Sequence, residues 1–167
     1  GGAPMKGGAY AVGSIVLKPL RGCSAEDFVA AFTLNVVGAA ILTKALLPAL
    51  KKHSSSEDPA GLVFFSSVAA KKGLANHAVV SAAKGGVEGL AAAMAAELAP
   101  SVRVNVVAPS LTWGGSPSEM AATLASNEKV AKAVAAAHAL PRLGRPDDVA
   151  QAAMFLMGGG SQWTTGA

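Results

Sequence analysis

Gly61-Leu62-Val63-Phe64-Phe65 is an unbroken apolar run held between the polar stretch Ser54-Ser55-Ser56-Glu57-Asp58-Pro59 and Ser66-Ser67. An alternating strand would keep one face in water, whereas a run without alternation has both faces covered, the condition of an inner strand in a parallel sheet. Tight turns cannot join parallel strands, so crossover segments must flank such a run. Both flanks supply them. Upstream, Ser24 with Asp27 three residues later makes a capping-box-like start, and Phe28, Phe32, Val36 and Ala39 continue at helical spacing toward Leu50, predicting a helix over about 25–52. Downstream, Val79, Ala83, Val87, Leu90, Met94 and Leu98 recur at steps of three and four until Pro100, predicting a helix over about 78–99. Its other flank carries Ala82, Gly85, Gly86, Gly89 and Ala93, a stripe without bulk that invites close approach of a second helix at some cost in helix propensity.

The remaining signals extend the alternation. Ala9 to Val12 reads as a short strand closed by Gly13-Ser14, with an uninformative Gly-rich stretch before it. Val102 to Val107 reads as a strand that Pro109 ends, residues 117–138 are helical in composition in two pieces, and Pro146-Asp147-Asp148 opens a helix to about Met157. Strand, helix, strand, helix, strand, helix, helix is the order of βαβ units, so the fold class is α/β, a parallel sheet flanked by helices. With 167 residues, 51% hydrophobic and 14% charged, the chain can bury the core of one domain spanning 1–167.

Charge and cysteine content narrow the function classes. A net charge of +4 is spread over pairs such as Lys51-Lys52 and Lys71-Lys72 without aromatic interleaving, which is a solvated surface rather than a nucleic-acid footprint. Cys23 is the sole cysteine, so no internal disulfide or cysteine metal cluster can form. A reducing intracellular compartment suits that usage, an organelle included, but no compartment is identified. The most apolar stretch, Phe28 to Thr43, is about 16 residues long where a span needs about 20, so a buried helix of a soluble protein is expected and no membrane span. Gly1-Gly2-Ala3-Pro4 shows no targeting signature.

Several pieces, in this order, resemble the short-chain dehydrogenase/reductase family. Tyr10-Ala11-Val12-Gly13 sits where that family has an Asn-Asn-Ala-Gly turn, and Leu34-Asn35-Val36-Val37-Gly38 is similar to its long-helix asparagine motif. Phe65-Ser66-Ser67-Val68 resembles its serine-bearing strand end, and Ala82-Ala83-Lys84-Gly85-Gly86-Val87-Glu88-Gly89-Leu90 resembles the helix after its Tyr-x-x-x-Lys pair. Arg103 to Pro109, Pro141 to Val149 and Thr165-Gly166 resemble later stretches of the family. The resemblance implies a Rossmann-type sheet, present here as the central and C-terminal part of the domain. The family's Gly-rich phosphate loop would lie before Gly1, and its last strand after Ala167.

The resemblance also implies hydride transfer between NAD or NADP and a carbonyl or hydroxyl, although binding by this chain alone is in question without the phosphate loop. Carbonyl reduction needs a group that polarises the oxygen and an acid that protonates it. In the family a serine does the first, and a tyrosine does the second with its pKa lowered by a lysine four residues later. Here four residues before Lys84 is Val80, and thirteen before Val80 is Ser67. Valine has no proton to give, and the sole tyrosine is Tyr10, at another place.

The candidate catalytic set implied is Ser67, Lys84 and Asn35, with His77 as a substitute acid three residues before Val80. The candidate cofactor contacts are Lys84, Gly13, Pro109 and Thr112. Each has a plainer alternative. Lys84 can extend past small neighbours to solvent, Ser67 can cap the strand end, Asn35 can bridge to the neighbouring strand, His77 can close a loop or cap the helix, and Thr112 can shape a turn. Ser110 replaces the glycine of the family's Pro-Gly pair, and His138 reads as a surface residue. No metal site is expected. Helices 25–52 and 78–99 correspond to those that build family dimers, so a homo-oligomer or a protein-complex partner is expected. The function is then either an oxidoreductase of this family with impaired ordinary catalysis, or a non-catalytic subunit for structure or assembly.

Overall fold

Ala60–Phe65 (β2) lies between two parallel neighbours, Gly7–Tyr10 (β1) and Val102–Val107 (β3), in a computed structural model that describes residues 4–113 and 127–167. The register pairs Gly7 with Gly61 and Tyr10 with Phe64 on one side, and Gly61 with Arg103 and Phe65 with Val107 on the other. Five of the six β2 residues are buried, as the run without alternation requires.

The described helices are Ala25–Phe32 (α1), Gly38–Lys52 (α2), Ala78–Leu98 (α3), Glu128–Ala136 (α4) and Pro146–Met157 (α5). Residues Ala60, Leu62 and Phe64 of β2 and Val102 and Val104 of β3 form one core with Val36, Ala39 and Leu50 upstream and Val87, Ala91, Ala95 and Leu98 of α3. Since successive strand residues point to opposite faces, Gly61 points away from that core. It meets α5 there. A Cβ on Gly61 would lie 2.7 Å from the Met157 carbonyl oxygen and 2.8 Å from its Cα, so only glycine lets the helix end come this close. The result is three layers, with α2 and α3 on one face of the sheet and α5 on the other. Fully burying a side chain such as Phe64 or Leu50 contributes about 1.5–3 kcal/mol.

Three expectations change. The first strand occupies 7–10 rather than 9–12, because pairing follows backbone approach rather than apolar content. A Cβ on Gly7 would stand 2.9 Å from the Gly61 oxygen, while Val12 is exposed. The helix over 25–52 is present, opened by the full Ser24–Asp27 capping box, but Thr33–Val37 within it is a π-helical turn. Its continuous 28 residues, with mean hydropathy 1.7 over the most apolar window, are long and apolar enough to cross a membrane, which Phe28 to Thr43 alone was not. One face is already packed inside the fold through Ala31, Asn35, Val36, Ala39, Thr43 and Leu50. Of the helical stretch expected over 117–138, residues 128–136 form α4 and 117–126 lie outside the described residues.

At the far edge of β3, Gly166 N donates to the Val104 carbonyl (2.8 Å) and Val106 N to that of Ala167 (2.7 Å). The last residues of the chain therefore run along an edge that would otherwise lack partners.

Candidate active site

All three strands point their carboxyl ends the same way, and the loops leaving those ends carry Gly13, Ser67 and Pro109 to Thr112. That end of an open parallel sheet is where ligands bind in such folds. Two side chains reach it from helices. Lys84 of α3 is buried and donates from Nζ to the Phe65 carbonyl, at 2.9 Å, at the end of β2. Asn35 comes from the π-helical turn, is 1% exposed, and donates from Nδ2 to the Ala31 carbonyl at 2.8 Å. Its Oδ1 is buried with no protein partner.

These groups meet beside Gly13. A Cβ there would lie 2.7 Å from Asn35 Oδ1 and 3.1 Å from Lys84 Nζ, so the missing side chain leaves the space in which acceptor and ammonium face each other. Buried acceptors are rarely left unpaired, and a water or ligand hydroxyl at this point could donate to Asn35 Oδ1 while accepting from Lys84 Nζ. The π-helical turn explains how Asn35 gets there. Widening one turn rotates the following residues relative to a regular helix, and Tyr10 Oη, 2.6 Å from the Leu34 carbonyl, donates to that turn from the end of β1.

Burial pushes the Lys84 ammonium below its usual pKa by stripping away water. Between that lowered value and 10.5, an unfolded chain still holds the proton that the folded chain has released, so the unfolded state binds more protons and stability rises with pH. The urea midpoint of the natural chain should therefore gain on that of Lys84→Met as pH rises through the alkaline range toward 10.5. A gap constant with pH would show that Lys84 is not desolvated.

Ser67 is half-buried at the end of β2, and its Oγ accepts from Ala69 N at 3.2 Å, capping the short turn Val68–Ala70. Val68 N donates to the Pro109 carbonyl (3.1 Å), which holds the β2 and β3 loops side by side. Ser67 thus caps a turn at the same sheet end that Lys84 reaches. Val80 is 3% exposed in α3, one turn before Lys84. His77 stands at the N-cap of α3 with Nδ1 2.7 Å from the Ala75 carbonyl, the loop-closing arrangement. No described hydrogen bond joins it to Ser67 or Lys84. Thr112 Oγ1 donates to the Ser110 carbonyl at 3.1 Å and shapes the turn after β3.

Two groups escaped the sequence reading. Ser66, next to the expected serine, is buried and donates to Glu88 Oε1 at 2.8 Å. His138 is half-buried with both ring nitrogens engaged, Nδ1 with the Val134 carbonyl and Nε2 with Ser110 Oγ, each at 2.8 Å, so its reading as a surface residue is corrected. Nothing in local periodicity announces a pairing across 28 residues.

A family model described as enoyl-(acyl carrier protein) reductase matches residues 8–167. The short-chain dehydrogenase/reductase SDRA of Arabidopsis thaliana is 33% identical over 133 residues, covering 80% of this chain and 48% of the relative. Carbonyl reductase family member 4 of Danio rerio is 34% identical over 135 residues, covering 79% and 50%. The chain spans about half the length of these curated relatives. Among solved structures, a short-chain dehydrogenase/reductase family oxidoreductase from Burkholderia thailandensis superposes with TM-score 0.85 at 26% identity, over 99% of this chain and 62% of that one. ElxO with NADP bound shares the fold at TM-score 0.82 and 23% identity, over 96% and 63%.

Proposed function

The chain belongs to the short-chain dehydrogenase/reductase family, and on that premise we propose that it serves NAD- or NADP-dependent carbonyl/hydroxyl chemistry with its ordinary proton-transfer step impaired. The observation that carries this reading is the meeting of Lys84 Nζ and Asn35 Oδ1 beside Gly13, one helical turn from a buried Val80. That meeting supports a reading in which the positioning groups of a reductase site surround a residue that cannot give a proton.

The donors present fit the nicotinamide end of such a cofactor. Lys84, with one described acceptor at Phe65, has N–H groups for ribose hydroxyls, and the loop of Pro109 and Thr112 borders the same sheet end beside Ser67. The bound nicotinamide would supply or accept the hydride. The adenosine and pyrophosphate end would rest on the part of the fold that the relatives have and this chain does not match. ElxO, of the same fold, is known with NADP bound, which supports this cofactor class. Ser67 would donate to the carbonyl oxygen, and Asn35 with Lys84 would hold the proton-carrying water. The decisive comparison is carbonyl reduction by the longest natural chain containing these residues against its Val80→Tyr variant.

A second reading, a non-catalytic subunit, draws on the outer surface. Val29, Phe32 and Ile41 are 65%, 47% and 64% exposed. Of the small-residue stripe on α3, Gly86 is covered by Phe32 and Val36, whereas Gly85 and Gly89 face open space. Phe28, Val29, Phe32 and Val79 also line an apolar cavity of about 300 Å³. Under either reading this face packs on a second copy or a partner protein. Light scattering should give a mass above the monomer that falls to the monomer in Val29→Arg. A monomeric natural chain would count against any self-association through this face.

A further inference from the structure

A serine and a histidine are joined outside the Lys84 site in the geometry of an activated nucleophile. Ser110 Oγ lies 2.8 Å from His138 Nε2. The other ring nitrogen, Nδ1, lies 2.8 Å from the Val134 carbonyl, which can only accept, so in the neutral ring Nδ1 carries the proton and the Nε2 lone pair faces the serine hydroxyl. A base within reach of a nucleophile, its tautomer and orientation fixed by a third group, is the arrangement that makes a hydroxyl attack.

The two sides are also held in place. Thr112 Oγ1 ties back to the Ser110 carbonyl at 3.1 Å, Gly144 N donates to the Leu111 carbonyl at 3.1 Å, and Trp113 N donates to the Gly144 carbonyl at 2.8 Å. The serine loop is thereby fixed to the segment that follows α4 and carries His138. Ser110 is exposed, so a substrate can reach it, and it stands at the carboxyl end of β3.

We propose that Ser110 and His138 form a nucleophile–base dyad that accepts acyl groups from small activated esters. Ser110 Oγ attacks the ester carbonyl carbon while His138 Nε2 takes the hydroxyl proton. The tetrahedral adduct collapses with cleavage of the C–O bond to the leaving alcohol, which receives that proton from Nε2, leaving an acyl group on Ser110. Water, deprotonated by the same nitrogen, then releases the carboxylic acid and restores the pair.

The test treats the natural chain with 4-nitrophenyl acetate and, separately, with an alkyl fluorophosphonate, and locates the adduct by peptide mass spectrometry. An adduct on Ser110 is expected, formed roughly tenfold or more slowly in His138→Ala and regained when imidazole is added to that variant. His138→Gln takes the place of His138→Ala if circular dichroism shows the latter unfolded. No adduct at Ser110 in the natural chain, or an equal rate in the folded histidine variant, would overturn the dyad. Nicotinamide binding and carbonyl reduction are read in separate measurements on the natural chain, so failure of the dyad is distinguishable from failure of the proposed carbonyl/hydroxyl chemistry.

Discussion

Val80→Tyr is expected to raise carbonyl-reduction turnover by about 10²–10⁴-fold over the natural chain, the range that a positioned proton donor contributes. The expectation rests on what is already built around residue 80. Residues four apart share a helix face, so a phenol at 80 would project from the same side of α3 as Lys84, whose ammonium reaches the sheet end at Phe65. A cation nearby favours the phenolate, bringing the acid closer to working pH. Against this stands volume. Val80 is 3% exposed, and forcing a larger side chain into a packed site costs about 1–3 kcal/mol. Val80→Phe separates the two effects, since it adds the ring without the hydroxyl. If the tyrosine variant turns over while the phenylalanine variant does not, and both bind cofactor equally, the missing proton is the defect. If both bind cofactor and both stay inactive, the acid is not what the site lacks.

The sequence was most readable where one periodicity governed a segment. The unbroken run at 61–65 and the three-and-four spacing behind the helix expected over about 78–99 each admit one burial pattern, and strand and helix follow as Ala60–Phe65 and Ala78–Leu98, with ends shifted by a residue at most. β1 was displaced because its pairing rests on Gly7 and Gly8, which carry no apolar signal and act through the contact their missing side chains permit. The π-helical turn at 33–37 was hidden for another reason. One widened turn leaves the apolar spacing on either side helical, so Asn35 reads as a polar residue in a helix and nothing local shows that its Oδ1 ends unpaired beside Gly13.

Resemblance located Ser67, Lys84 and Asn35 by register, and the fold brings Lys84 and Asn35 together while Ser67 caps the neighbouring turn. Helix spacing offered His77 as a substitute acid, and its ring closes its own loop. Neither periodicity nor resemblance marks the Ser110–His138 pair, because it depends on how the segment after α4 meets the β3 loop rather than on any motif.

Arg103→Leu is expected to be the most destabilising change at a residue away from the site, costing about 3 kcal/mol through lost hydrogen bonds to a buried charged donor, a large share of the roughly 5–15 kcal/mol that holds a domain of this kind together. The guanidinium is 4% exposed and donates to the carbonyls of Leu156 (2.8 Å), Gly158 (3.1 Å), Thr164 (3.3 Å) and Met157 (3.4 Å) and to Ser161 Oγ (2.9 Å). Those acceptors gather where α5 ends, at the negative pole of the helix dipole, and lack helical donors of their own. Leucine would fill part of the space but remove a charged donor from all of them, each such bond contributing about 1.5–3 kcal/mol. The Leu156 and Gly158 carbonyls would keep Ser161 and the Thr164 carbonyl would keep Asn105 Nδ2, while the Met157 carbonyl would be left without a described side-chain donor. Arg103→Lys should recover the smaller part of the loss, because an ammonium on a flexible stem cannot span acceptors that a planar fork bridges at once. Urea unfolding followed by circular dichroism measures both. A loss below about 1 kcal/mol for Arg103→Leu would mean that water replaces the clamp at little cost. Arg103 is the second residue of β3, at the strand ends opposite to Lys84 and Ser110, so the molecules that remain folded should keep their affinity for nicotinamide cofactor and their labelling at Ser110. Loss of either in proportion to folded protein would show that the helix-end clamp reaches through the sheet to set the geometry of the opposite end.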